Sequence, residues 1–251
     1  MCYHISNTKK KARELEDRFN ATFEFPEAYE PYYHFNGWEL KNLYIVRQED
    51  PQSIDVAKWG HLPEGFQLND RKEFLARTNT LNATKERLFE SHLFSNHIKW
   101  NRCLIIADGL YEPHKVAGMK GSFPYYFRYH NQELFAFAGI YSEIIHDTKP
   151  IFSASIITTE ANPLFKEIHN SPNNKGSYRM PLILDKQDEW DWLHCNDDTN
   201  RIESLLNTFT KEEIAAYPVS KDLFSRKVDS NRADILEQIN YPELNSQGSL
   251  F

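Results

Sequence analysis

Between residues 103 and 184 the chain repeats one pattern: an apolar run of five to eight residues, then a polar break. Runs that short and that rich in β-branched and aromatic side chains predict strands. Residues 103–107 (C-L-I-I-A) read as a buried strand closed by Asp108-Gly109. Residues 123–129 and 134–141 read as two more, joined by a turn at His130-Asn131, and 152–159 and 180–184 follow. Residues 43–46 add an earlier strand. Helical periodicity lies at the flanks. Residues 8–19 place Ala12, Leu15 and Phe19 on one face, with Asn7 or Thr8 as the N-cap. Residues 70–77, 84–98, 188–193, 201–209 and 210–216 also read as helical, and Thr210-Lys211-Glu212-Glu213 has capping-box spacing. Residues 23–38 are aromatic and proline-punctuated without a period, which predicts a packed loop. Residues 170–177 read as an exposed loop. Central strands with flanking helices predict the α+β class. The expected architecture is a single domain over residues 1–251, with a curved, mostly antiparallel, β-barrel-like sheet and flanking helices.

A chain of 251 residues buries enough surface to hold a core without disulfides or metal. Its 29 basic and 36 acidic residues give a net charge of −7, which excludes a coat for nucleic acid by bulk charge and still allows a local basic groove. No apolar run approaches the roughly 20 residues of a membrane helix. Lys9-Lys10-Lys11 are followed by no apolar signal core, so a cytoplasmic protein is expected. The cysteines at 2, 103 and 195 form no CxxC pair, and the ten histidines form no HExxH motif. Neither a metal nor a cofactor is expected.

Cys2 carries the sharpest chemistry. A side chain this small lets Met1 be removed, leaving an amine and a thiol on adjacent carbons. Their reference pKa values, about 7.7–8.0 and about 8.5, keep both reactive near neutrality. Such a group can attack amides as an N-terminal nucleophile, or can trap an aldehyde as a Schiff base that closes to a thiazolidine. A cysteine at position 2 with no role fits the residue equally well. Glu112, just past a buried strand and a Gly turn, suits proton transfer or a solvated turn. His169, at an element end, suits acid–base work or a surface position. Asn82 reads first as the cap of a helix starting near Thr84. Trp59-Gly60 with Leu62-Pro63 reads as core packing or as a wedge against a stacked base. Arg77, Lys85, Arg87, Lys99, Arg102, Lys115 and Arg179 lie near these motifs in sequence, a pattern that solvated faces also produce.

In order and spacing, these pieces resemble one family. They are Cys2, Trp59-Gly60-x-Leu62-Pro63, Asn82-Ala83-x-x-Glu86, Arg102-Cys103-Leu104-x-x-Ala107-Asp108-Gly109-x-Tyr111-Glu112, Ile168-His169, Arg179-Met180-Pro181 and Pro218-Val219-Ser220. The set is similar to the SRAP family of SOS-response-associated peptidases and abasic-site processing proteins, over residues 1 to about 220. The resemblance implies a covalent thiazolidine crosslink between Cys2 and abasic sites in single-stranded DNA, with lyase and self-processing peptidase steps. It implies catalytic roles for Cys2, Asn82, Glu112 and His169. It implies a DNA-facing set of Asn36, Trp59, Arg77, Thr84, Thr158 and Arg179. The expected partner is single-stranded DNA containing abasic sites, bound by a monomer, with no membrane and no metal. The alternatives are a thiol peptidase or amidase using Cys2, and a noncovalent single-stranded DNA-binding module. Four departures stand out. Tyr3 and His4 replace the family's Gly and Arg, Thr84 replaces an Arg, Pro113 replaces an aromatic, and about eight extra residues separate His169 from Arg179.

Overall fold

The computed structural model describes residues 2–39 and 41–245; Met1, on whose removal the Cys2 chemistry depends, lies outside them. The first seven strands are β1 (His4–Asn7), β2 (Thr22–Phe23), β3 (Tyr32–Asn36), β4 (Asn42–Arg47), β5 (Ser53–Trp59), β6 (Asn82–Thr84) and β7 (Arg102–Ala107). Then come β8 (Gly109–His114), β9 (Phe123–Tyr129), β10 (Phe135–His146), β11 (Lys149–Glu160), β12 (Arg179–Pro181) and β13 (Ile214–Pro218). The helices are α1 (Ala12–Phe19), α2 (Arg71–Thr78), α3 (His97–Trp100), α4 (Pro163–Ile168), α5 (Lys186–His194), α6 (Thr199–Leu205) and α7 (Pro242–Asn245).

Five strands close into a barrel in the order β11-β10-β7-β4-β5, because β5 returns to pair with β11 in parallel. Closure removes the exposed edges that an open sheet leaves unpaired. β12 and β6 extend β11, and β2 extends β5. A second, wholly antiparallel sheet runs β13-β9-β8-β1-β3. The chain steps from barrel to second sheet at a single residue, Asp108, between β7 and β8. Its carboxylate accepts hydrogen bonds from Ser6 Oγ at 2.7 Å and from the Thr8 amide at 2.7 Å, so it also pins the end of β1. Gly109 follows because a Cβ there would lie 2.2 Å from the Tyr126 ring. One apolar core, including Ile5, Phe35, Ile105, Phe127, Phe137 and Ile156, joins barrel and second sheet. The α+β class and the curved, mostly antiparallel barrel with flanking helices are those expected.

Several local expectations change. Asn7 and Thr8 do not cap α1. Asn7 ends β1, Thr8 is bound by Asp108, and Lys11 takes the N-cap, its amide bonded to Glu14 Oε2 at 3.0 Å. Residues 84–98 are not one helix. Thr84 is held in β6 against Thr158, and Ser91 Oγ accepts from the Leu93 amide, so the segment breaks into a 3-10 turn at Lys85–Arg87 and a short α-helix at His97–Trp100. Residues 210–213 start like a cap, with the Glu212 amide on Thr210 Oγ1 at 3.2 Å. The chain then extends as β13, because pairing with β9 supplies more hydrogen bonds than one more helical turn. Residues 23–38 contain β3. Residues 123–129 and 134–141 are strands, but of different sheets.

Candidate active site

The start of the chain is threaded into the interior. Asn82 sits in β6, which pairs in parallel with β11, opposite Ile156. The Trp59 indole donates to the Leu81 carbonyl at 2.9 Å and fixes the backbone just before Asn82. Asn82 Nδ2 donates to the Cys2 carbonyl at 2.9 Å. Asn82 is therefore a strand residue whose side chain anchors Cys2, and not a helix cap. Its Oδ1 is buried without a partner.

Glu112 lies inside β8 and not on a turn. The antiparallel register Ile5 opposite Leu110 carries β8 past the beginning of β1, bringing Glu112 beside the N-terminal residues. α4 brings His169. Asn162 caps α4 by accepting from the Phe165 amide at 2.9 Å, Pro163 opens the first turn, and His169 is the C-cap. His114, the last residue of β8, donates Nδ1–H to the Ile168 carbonyl at 2.9 Å. The Lys115 amide donates to Asn170 Oδ1 at 2.9 Å, and Asn170 Nδ2 donates to the Lys115 carbonyl at 2.8 Å. These bonds sew α4 to β8 and leave His169 Nδ1 2.9 Å from Glu112 Oε2. Glu112 Oε1 is buried and unpartnered.

The electrostatics follow from burial. Burial pushes the Glu112 carboxyl up, but the positive amino terminus and His169 outweigh it and hold the group below the usual carboxylate range, as an anion. Burial, reinforced by the Glu112 charge, pushes the Cys2 thiol well above its usual value. Cys2 is fully buried, with Sγ 3.9 Å from the His4 carbonyl. Its neighbours Tyr3 and His4, with Glu112, His169, Arg179 and Phe224, line a cavity of about 450 Å³, which Cys2 and Asn82 do not themselves line. The structure thus brings Cys2, Asn82, Glu112 and His169 to one place. Among the described residues no cluster of His, Cys, Asp and Glu could hold a metal ion, and no helix is long and apolar enough to cross a membrane.

The DNA-facing set divides. Arg179 lines both the cavity and an adjoining groove shared with Thr84, Glu86, Arg87 and Lys175. Its guanidinium is bonded to Glu86 Oε1 at 2.7 Å and to the Thr158 carbonyl, which cancels much of its charge. Thr158 is buried next to it and opposite Thr84. Asn36 ends β3, accepts from the Trp38 amide at 3.1 Å and lines neither cavity nor groove. Arg77 pairs with Glu73 one turn away on α2, also outside both. Trp59 must be corrected. It is completely enclosed against Phe35 and Gly37, so it packs the core and cannot stack on a base. Arg102 is likewise internal, with its guanidinium on the carbonyls of Trp192, Ile98 and Lys99.

A model of the family described as SOS response associated peptidase (SRAP) matches residues 1–226. The chain belongs to the SRAP family. It is 30% identical over 91% of its length to abasic site processing protein YoaM of Bacillus subtilis, covering 94% of that protein. It is also 30% identical over 89% of its length to abasic site processing protein YoqW of the same bacterium, again covering 94%. Its fold superposes on a crystal structure of a Bacteroides thetaiotaomicron protein with a TM-score of 0.81, at 27% identity, covering 95% of this chain and all of the other.

Against the SRAP pattern, two features went unseen in the sequence. The extra residues after His169 are not a remote loop, since Ser171, Pro172, Asn173 and Ser177 wall the cavity. Asn173 folds that loop on itself by accepting from the Lys175 and Ser177 amides at 2.9 and 3.0 Å. His4 was visible only as a departure from the family, yet it lines the cavity and bonds to His34. An isolated histidine leaves no periodic signal that would have marked it.

Proposed function

We propose that this protein captures abasic sites in single-stranded DNA through Cys2, once Met1 is removed. The observation that carries the reading is the pair of buried, unpartnered acceptors beside Cys2, Asn82 Oδ1 and Glu112 Oε1. A buried acceptor left empty costs about 1–3 kcal/mol. A free Cys2 amine, with up to three hydrogens, suits both, whereas a retained Met1 makes that nitrogen an amide.

The opened abasic deoxyribose presents an aldehyde. The Cys2 amine adds to its carbon to give a carbinolamine. The hydroxyl leaves as water with one added proton, giving an iminium. Cys2 Sγ, losing its proton, adds to the same carbon and closes the thiazolidine, for a net loss of one water. Asn82 holds the Cys2 backbone. Glu112, kept anionic, accepts the proton that the amine loses as it adds. His169, in contact with Glu112, assists opening of the sugar at its ring oxygen. A thiol held protonated by burial favours this amine-first order over direct attack of sulfur on an amide, the peptidase reading. The iminium also acidifies the neighbouring carbon, so β-elimination with strand scission is an accessible side step. The groove beside Arg179, with Arg87 and Lys175, takes the strand's phosphates. Every residue invoked belongs to one chain, so a monomer suffices, and the reducing cytoplasm keeps the thiol free.

The test is a denaturing gel of Met1-free protein with labelled single-stranded DNA bearing one abasic site. A heat-stable adduct is expected, absent with Cys2→Ala and absent with intact DNA. Equal binding of intact and abasic strands with no adduct would leave only a noncovalent binding module. Met1 loss that requires Cys2, in cells lacking methionine aminopeptidase activity, would favour the peptidase.

A further inference from the structure

The cavity contains a histidine that the four-residue site does not use. His4 Nδ1 lies 2.8 Å from His34 Nε2, and His34 Nδ1 lies 2.6 Å from Ser230 Oγ. The two rings stack at 5.1 Å, with Phe224 edge-on to His4 and Tyr111 edge-on to His34. Ser230 is held in place. Neighbouring Asn231 Oδ1 accepts from the Tyr33 amide at 2.8 Å, and Arg232 is tied to Asp222 and Asp234. With Nδ1 engaged, Nε2 is the His4 ring nitrogen available to the cavity.

We propose that His4, backed by His34 and Ser230, is a further proton-transfer residue of this site, alternating between donor and acceptor in thiazolidine formation. This role rests on the abasic-site reading above. The chain His4–His34–Ser230 has two neutral arrangements. In one, Ser230 donates to His34, His34 donates to His4, and His4 Nε2 carries a proton toward the cavity. In the other every hydrogen bond is reversed and Nε2 is bare. The first gives its Nε2 proton to the departing carbinolamine hydroxyl, which leaves as water, while Ser230 is reprotonated from solvent. The second takes the Cys2 thiol proton as sulfur adds, and Ser230 returns one proton to solvent. Protons balance over the two steps and neither histidine becomes charged. Burial supports neutrality, holding His4 at about 4 and His34 at about 3. The charges facing the pair are Glu112 toward His4 and Lys41 toward His34. Glu112, held as an anion, carries no proton to give to the leaving hydroxyl, and His4 Nε2–H fills that gap.

Single-turnover adduct formation on abasic single-stranded DNA tests this. His4→Phe keeps a ring against His34 and Phe224 but carries no proton. It is expected to slow adduct formation about 10²-fold while noncovalent strand binding holds. Ser230→Ala is expected to slow it less, with recovery in Ser230→Thr, which restores the hydroxyl to His34. Ring ¹⁵N spectra of the wild-type protein, which need no variant to fold, are expected to show both histidines neutral at pH 7. A charged ring there, or wild-type rates in His4→Phe, would overturn the role alone. A wild-type protein that forms no adduct would overturn the abasic-site reading and this role together.

Discussion

Glu112 shows how much a single residue's meaning depends on its surroundings. As a letter after Asp108-Gly109-Leu110-Tyr111 it reads equally well as a solvated turn carboxylate. Inside β8 it is a buried anion, held by His169 and the amino terminus. Asn82 changes in the same way, from a cap to a clamp on Cys2. Trp59 resolves the other way, from a possible wedge to core. The titrating residues also predict a pH response. His4 and His34 fall from 6.5 to about 4 and about 3 on folding, so between 6.5 and about 4 the unfolded chain binds protons that the folded chain refuses. Their contribution is fully present above 6.5 and is lost as pH falls toward 4. It amounts to about 3 kcal/mol for His4 alone, and His34 adds to it. Glu112, with a lowered pKa, adds a loss only at more acid pH. Thermal melts should therefore show Tm dropping already below pH 6.5, and the double substitution His4→Phe, His34→Phe should flatten that part of the curve.

At the scale of elements, the site depends on the step from β7 to β8. Asp108 anchors β1, Gly109 lets Tyr126 approach, and three residues later Glu112 meets α4 through the His114–Ile168 and Lys115–Asn170 bonds. A Cβ at Gly109 would lie 2.2 Å from the Tyr126 ring, which is itself bonded through its hydroxyl to Ser6. Gly109→Ala should cost about 1–3 kcal/mol. Calorimetry should record this as a Tm fall of roughly 2–4 °C per kcal/mol for a domain of this size. Unchanged melting would mean that β8 and β9 can part there without cost. Strands 103–107 and 123–129 were legible because continuous apolar runs mark buried strands. The 84–98 and 210–216 segments were misread because helical spacing persists where strand pairing and a serine turn decide the backbone.

For the whole molecule, a net charge of −7 requires any strand-binding surface to be segregated from the rest. The groove beside the cavity carries Arg87, Lys175 and Arg179, but Arg179 is largely neutralised by Glu86. Affinity for single-stranded DNA should fall linearly in log K against log salt. Arg87→Ala and Lys175→Ala should each lower the slope by about 0.7, the value for one single-strand phosphate contact. Arg77→Ala, paired within α2 and outside the groove, should leave it unchanged. Equal effects of all three, measured by fluorescence anisotropy across a salt series, would mean that the groove is not the strand's path.

The sequence alone determined the strand-rich centre, the class, and the candidate cysteine, because apolar periodicity and the position of Cys2 are local properties. It also carried, in the order of its motifs, the family to which the chain belongs. Only the tertiary structure decided that Asn82 clamps Cys2 and that Glu112 is a buried anion. It alone placed the residues after His169 on the cavity wall and made His4 the head of a hydrogen-bonded chain. Those facts rest on parallel pairing of β6 with β11 and on the 24 residues of chain between β1 and β3. Contacts between segments so far apart leave no periodicity in the sequence. They arise when barrel closure and one buried core bring the segments together.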